Sequence, residues 1–237
     1  MPLLFWPLIW YVAAKVIDNP FLFPRISDTA EALFQLVKTQ AFYKSVALSA
    51  VRVVVGLSLG CLSGVLLGLL CSKFSIIDYL ISPIMTVIRS TPVASFIVVL
   101  WVLMSGDALS VFIGFIMVMP IIWQSTSDGM SAIDKNLLEV TRIFEFSRIK
   151  KFKLLTLPTL KQFLIPAIIS SVGLAWKAEI AAEIIAYTKN SIGQGINDAK
   201  YVMDTPTVFA WTAIVVVFSI TLEALTKALL RRHKNGS

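Results

Sequence analysis

Four ionisable residues are embedded in apolar sequence, Arg52, Lys177, Glu179 and Glu183, and they are the first candidates for chemistry. Charges inside apolar spans are costly, and they mark pathways, relays or structural pairs. Glu179 and Glu183 are four residues apart, so on a helix they share a face and repel each other. Lys177 is two residues from Glu179 and points elsewhere. Relief must therefore come from another helix, from water or from protonation. Arg52 and Glu183 fall toward the same side of the membrane, so an ion pair between them is expected, either structural or part of a pathway or gate.

Sets of residues able to break bonds are missing. Gly56-Leu57-Ser58-Leu59-Gly60 matches the G-x-S-x-G nucleophile pattern, but it lies inside an apolar helical stretch. The only histidine, His233, is in the polar tail, so the turn and base that this motif requires are lacking. No grouping of Cys, His and acidic residues has metal-ligand spacing, and no G-x-x-x-x-G-K-[ST] loop can cradle ATP. Neither an enzyme nor a resident metal or cofactor is expected. Cys61 and Cys71 are ten residues apart in one apolar segment, about 15 Å along a helix, which is too far to bridge.

The elements carrying these residues are membrane spans. Hydrophobic residues make up 57% and charged residues 15% of the 237, and the mean hydropathy is +0.82; a soluble domain does not have this balance. The net charge of +7 comes from residues flanking spans, so anionic lipid explains it and nucleic acid does not. Six apolar segments, 3–17, 45–71, 92–104, 109–123, 162–187 and 207–230, predict an all-α polytopic protein of about six transmembrane helices. Pro92 and Pro120 predict short or broken helices around 92–123. The first segment lacks a basic leader and a small-residue cleavage site, and it reads as a retained span.

With the amino terminus inside, thirteen Lys and Arg fall in the inner pieces and six in the outer ones, which predicts both termini on the cytoplasmic side of the membrane. The outer stretch Asp18 to Lys44 places Ala30, Leu33, Phe34 and Val37 at helical spacing and predicts a short amphipathic helix at the interface. Gly56, Gly60, Gly64 and Gly68 form a stripe on one face of the second span. It serves close packing within one subunit, a dimer seam or a pore lining.

Between Gln124 and Lys161 lies a polar island with seven basic residues, Lys135, Arg142, Arg148, Lys150, Lys151, Lys153 and Lys161. Its charge makes it a cytoplasmic docking loop. Asp134 is suited to N-cap a helix over about 135–146, with Leu137, Val140 and Phe144 on one face. Spacing alone leaves a membrane surface and a partner's groove equally open to that face.

The run Asn136-Leu137-Leu138-Glu139-Val140-Thr141-Arg142, followed by Glu145, Ser147-Arg148, Phe152 and Leu157-Pro158, resembles the EAA loop of permease subunits in binding-protein-dependent ABC importers. Arg52 with Gly56, Arg89 with Pro92, Ala175-Trp176, Ala182-Glu183, Ile192-Gly193 and Asp204-Thr205 extend the likeness over roughly 190 residues. They are similar to the nitrate, sulfonate and taurine branch, which also includes permeases for thiamine-precursor pyrimidines. Glu139-Val140-Thr141 replaces the family's Glu-Ala-Ala, and Glu145 stands where it has glycine. Lys177 and Glu179 replace residues that are usually apolar or small.

The resemblance implies a type I importer fold and a division into residues 1–42, a permease domain over 43–231, and a tail over 232–237. It implies two permease copies, an external binding protein or lipoprotein, and separate ATPase subunits that hold ATP and Mg. Leu138, Glu139, Val140, Thr141, Arg142, Glu145, Ser147 and Arg148 would couple to the ATPase. A stand-alone ion-coupled secondary transporter using Arg52, Lys177, Glu179 and Glu183 is the alternative, although the internal repeat usual in such proteins is absent from the sequence.

Overall fold

A computed structural model describes residues 2–104 and 106–232; His233 and most of the tail lie outside them. Its elements are α1 (Pro2–Ile17), α2 (Ile26–Val37), α3 (Gln40–Lys73), α4 (Ser75–Ser90), α5 (Val93–Trp101), α6 (Asp107–Ser131), α7 (Lys135–Ile143) and α8 (Arg148–Lys151), then a π turn (Phe152–Thr156), α9 (Leu157–Ile185), α10 (Ile192–Tyr201) and α11 (Thr205–Arg232). No strand occurs among the described residues. Four helices are long and apolar enough to cross a membrane: α3, α6, the continuous run Arg148–Ile185, and α11. A fifth crossing arises if α4 and α5 count as one span bent by 101°, and α1 is a shorter apolar helix.

The third apolar segment, 92–104, is therefore no free-standing span. Pro92 follows the break at Thr91, and α4 supplies the other arm from a stretch, 72–91, that reads in sequence as a polar loop. Asp78, Ser82 and Ser90 dilute its hydropathy, yet Ile76, Tyr79, Leu80, Ile84 and Val87 form an exposed apolar surface. Pro120 breaks nothing. It lies buried inside an unbroken α6, because a helix enclosed by neighbours tolerates one missing N–H.

Three helices make the body. α3 runs along α6, and α6 along α9. The glycine stripe is the reason α3 and α6 can approach closely. A methyl group at position 60 would lie 2.7 Å from Val118 Cβ, and one at position 64 would lie 2.8 Å from both Ile122 Cβ and the Met119 carbonyl oxygen. The stripe therefore packs within the subunit. Trp176 fills the centre, fully buried, and its indole N–H donates to the Val215 carbonyl of α11 at 2.9 Å. Cys71 receives the Trp123 indole N–H at 3.3 Å, and both cysteines are free thiols.

α2 forms where the amphipathic pattern predicts, but its packed face is rotated from the one expected. Thr29 is buried and Leu33 and Leu36 pack into the core, while Ala30, Phe34 and Val37 remain exposed. A second apolar face thus stays free on the interfacial helix.

Candidate functional site

The intramembrane charges separate into three different situations. Arg52 is buried on α3, and its Nη1 lies 2.9 Å from Glu183 Oε1 of α9. Its Nε and Nη2 lie 2.8 and 2.7 Å from Asp107 Oδ1 at the start of α6, and Nη2 also donates to the Lys189 carbonyl at 3.2 Å. The Ser49 hydroxyl is within 2.7 and 2.8 Å of the two Glu183 oxygens and itself accepts from the Ile192 amide at 3.1 Å. The Gly193 amide donates to Glu183 Oε2 at 3.2 Å. Glu183 is thus enclosed by donors from α3 and from the first turn of α10, where an anion suits the exposed N–H groups. The cluster ties α3, α6, α9 and α10 together at one end of the bundle.

Glu179 shares that face of α9 but has no such partners. It is fully buried, neither carboxyl oxygen has a hydrogen-bond partner, and it is wedged between Gly56 and Gly114, where side chains would collide with it. Lys177 emerges on the opposite side of α9 and is exposed. Ser49 and Asp107 escaped the sequence reading. Ser49 could have been found, being three residues from Arg52 on one helical face. Asp107 could have been found only by placing the start of α6 beside Arg52, which is a tertiary matter.

Beyond this cluster, on the same end, a groove of about 850 Å³ opens between the start of α3, α10 and α11, with Gln40, Lys44, Asn190, Gln194, Asp198 and Trp211 in its wall. The Tyr187 hydroxyl donates to the Asp198 carboxylate, and that bond pushes the phenol's pKa upward.

The opposite end, beyond the 25 residues or about 37 Å of α6, carries the polar island. Little of it is loop: α6 continues to Ser131, α7 spans Lys135–Ile143, and a further helical run begins at Arg148. Asp134 caps α7 by accepting from the Asn136 amide at 2.8 Å. α7 ends at Ile143, three residues short of the expected Phe146. The stop is a Schellman turn: the Glu145 amide donates to Arg142 O at 3.1 Å and the Phe146 amide to Thr141 O at 2.9 Å. Glu145 takes the left-handed conformation this requires, with φ 49°, so the glutamate adopts the shape a glycine would ease. Glu145→Gly is expected to stabilise the turn by about 0.5–1 kcal/mol. Hydrogen exchange at the Phe146 amide should slow about threefold, and unchanged exchange would contradict the strain.

On α7, Glu139 and Arg142 are exposed, as are Leu137, Val140, Ile143 and Phe144. Leu138 is half-buried and Thr141 is buried, its hydroxyl donating to Leu138 O at 2.7 Å. Thr141 thus faces the subunit and not the free side. Ser147 caps α8 by accepting from the Lys150 amide at 3.3 Å, and Arg148 is exposed. The π turn falls just where Pro158, lacking an N–H, cannot bond back to Leu154.

Spans gathered around a polar lock at one end, with a short capped helix at the other, define a polytopic membrane protein. Residues 63–235 match the model of the binding-protein-dependent transport system inner membrane component, and the chain belongs to that family, the permeases of type I ABC importers. It is 21% identical over 230 residues to the taurine transport system permease protein TauC of Escherichia coli (strain K12), covering 94% of this chain and 83% of that one. It is 23% identical over 200 residues to the putative aliphatic sulfonates transport permease protein SsuC of Bacillus subtilis (strain 168), covering 84% and 72%. The fold matches a crystal structure of an amino acid ABC transporter with histidines at a TM-score of 0.66 and 17% identity, covering 81% of this chain and 93% of that one. Membership replaces the ion-coupled secondary transporter as the reading of the intramembrane charges. It makes the chain a multi-pass membrane protein and not itself an enzyme.

Proposed function

We propose that this chain forms half of the translocation pathway of an ATP-driven importer, as one of two identical permease copies. An external binding protein delivers a small solute to the end carrying the Arg52 cluster. A separate ATPase, holding ATP and Mg, engages α7 at the other end, which places both termini in the cytoplasm. Taurine and aliphatic sulfonates, named for two relatives, share a sulfonate group, and the reading extends to this chain a small oxyanion as solute.

The observation that supports coupling is the free apolar face of α7. Leu137, Val140, Ile143 and Phe144 are 42–76% exposed on a helix capped at both ends, whose opposite side carries the buried Thr141 and the half-buried Leu138. A rigid amphipathic helix with an uncovered face suits a groove in a partner, and rigidity lets it transmit force. ATP closes the ATPase pair, the α7 helices follow, and the permease shifts between inward-facing and outward-facing states. The nucleotide drives this only as far as it favours one state over the other.

The test is Glu139→Lys combined with Arg142→Glu in the full complex. Stimulation of the ATPase by the permease should fall about tenfold or more, as expected when central interface charges are reversed, while insertion is unchanged. Full stimulation would overturn the assignment of α7.

A further inference from the structure

Between Ser171 and Ala186 of α9, Lys177 is the only exposed residue. The helix is otherwise enclosed by α3, α5, α6, α10 and α11, which leaves a narrow stripe along it on which Pro166, Ser170 and Lys177 are exposed, while Leu174, Ala181 and Ile185 beside them are half-buried against the core. Lys177 lies eight residues inside the helix end at Ile185, about 12 Å along the axis, and so within a hydrocarbon layer about 30 Å thick. It has no ion-pair or hydrogen-bond partner among the described residues. The nearby carboxylates are otherwise placed: Glu183 is held by Arg52 and Ser49, Glu179 is about 200° away around the helix, enclosed between Gly56 and Gly114, and Glu223 of α11, which packs on Gly173 one turn before Lys177, is paired with Lys227 at 3.8 Å.

A cationic side chain at this depth is stable when it faces water or protein, not lipid. Arg52 is already neutralised by two carboxylates. Lys177 is therefore the unneutralised charge on the open face, and in a low-dielectric cleft such a charge sets the sign of the local field.

We propose that Lys177 lines the aqueous pathway of the importer and is its contact for the negative group of a small oxyanion in transit. The proposal rests on the permease reading above, and it deepens that reading by naming the residue and the sign of charge it selects. A lysine offers three donors to an oxyanion as a point charge, which suits passage because no fixed bidentate geometry has to be broken on release.

The test uses the full transporter in membrane vesicles, with Cys61→Ala and Cys71→Ala, and a reporter thiol at Ser170→Cys. That thiol is seven residues, about 10 Å, from Lys177 on the same stripe. Reaction rates are measured with anionic sulfonatoethyl and cationic trimethylammonium-ethyl methanethiosulfonates. Both reagents should react, and Lys177→Gln should lower the anionic-to-cationic rate ratio about fourfold or more, whereas Lys177→Arg should preserve it. An unchanged ratio with Lys177→Gln overturns the proposal. Labelling by a lipid-soluble maleimide alone also overturns it, since the stripe would then face lipid. ATPase stimulation, measured on the same vesicles, separates the two failures: its retention with a failed ratio sinks the role of Lys177 only, and its absence sinks the permease reading.

Discussion

Replacing Glu183 with alanine is expected to lower the thermal midpoint of the detergent-solubilised protein by about 6 to 12 °C. The estimate follows from the partners left behind. Removing one member of a buried ion pair costs about 3–5 kcal/mol, because the other charge stays buried and uncompensated. Here Arg52 keeps Asp107 and the Lys189 carbonyl, so the cost falls near 3 kcal/mol. For a chain of this length each kcal/mol moves the midpoint by about 2–4 °C. The Ser49 hydroxyl and the Gly193 amide lose their acceptor as well, and with them α9 loses its carboxylate ties to α3 and α10. Two neighbouring acids act as controls. Asp107→Asn removes a carboxylate whose side chain is 74% exposed, where screening holds a pair to about 0–1 kcal/mol. Glu179→Gln alters a carboxyl with no partner to lose, so its midpoint should stay close to that of the parent. Equal midpoints for Glu183→Ala and Glu179→Gln would show that the cluster around Arg52 does not hold the helices together.

Gly64→Leu should prevent the protein from assembling as a single species. The close approach of α3 to α6 depends on the absence of side chains at 56, 60, 64 and 68. At position 64 even a methyl group would lie 2.8 Å from the Met119 carbonyl oxygen, and backbone cannot move aside as a side chain can. Ile122, which that methyl would also meet, is fully buried. Overpacking by single methylenes costs about 1–3 kcal/mol, and leucine adds four carbons, so the two helices must separate along their length. Their separation would also displace Arg52 from Glu183. Size-exclusion profiles of the detergent-solubilised protein should show aggregate in place of the parent peak. Leu66→Ala, on the exposed face of α3, should leave the profile unchanged. A normal profile for Gly64→Leu would mean that the stripe is not the close contact.

The elements set by local chemistry were readable one residue at a time. Asp134 as a helix cap, the amphipathic spacing after it, the break at Pro92 and the amphipathic segment before α3 all rest on interactions within a few residues. Their bounds were less secure. α7 ends at Ile143 because a backbone turn through Glu145 satisfies the last carbonyls, and nothing in the side-chain pattern dictates that. Pro120 was misleading for a related reason. Its cost to a helix depends on what surrounds the freed carbonyl, and α6 is enclosed on both sides.

The charges separate the two levels most clearly. From sequence alone it followed that Glu179 and Glu183 share a face, that Lys177 points away from them, and that α9 cannot neutralise its own acids, because helical periodicity is a local property. Which acid would be neutralised was decided by tertiary packing. Glu183 lies level with Arg52, Ser49 and the first turn of α10, whereas Glu179, one turn further in, lies against Gly56 of α3 and Gly114 of α6 and finds no hydrogen-bond donor. The open stripe that leaves Lys177 exposed was likewise decided by the helices packed around α9. Sequence determined the class of protein, its apolar helices, and the residues available as charges and caps. Only the tertiary structure decided which of those charges are paired, sealed or left facing open space, because burial and pairing belong to neighbours that are distant in the chain.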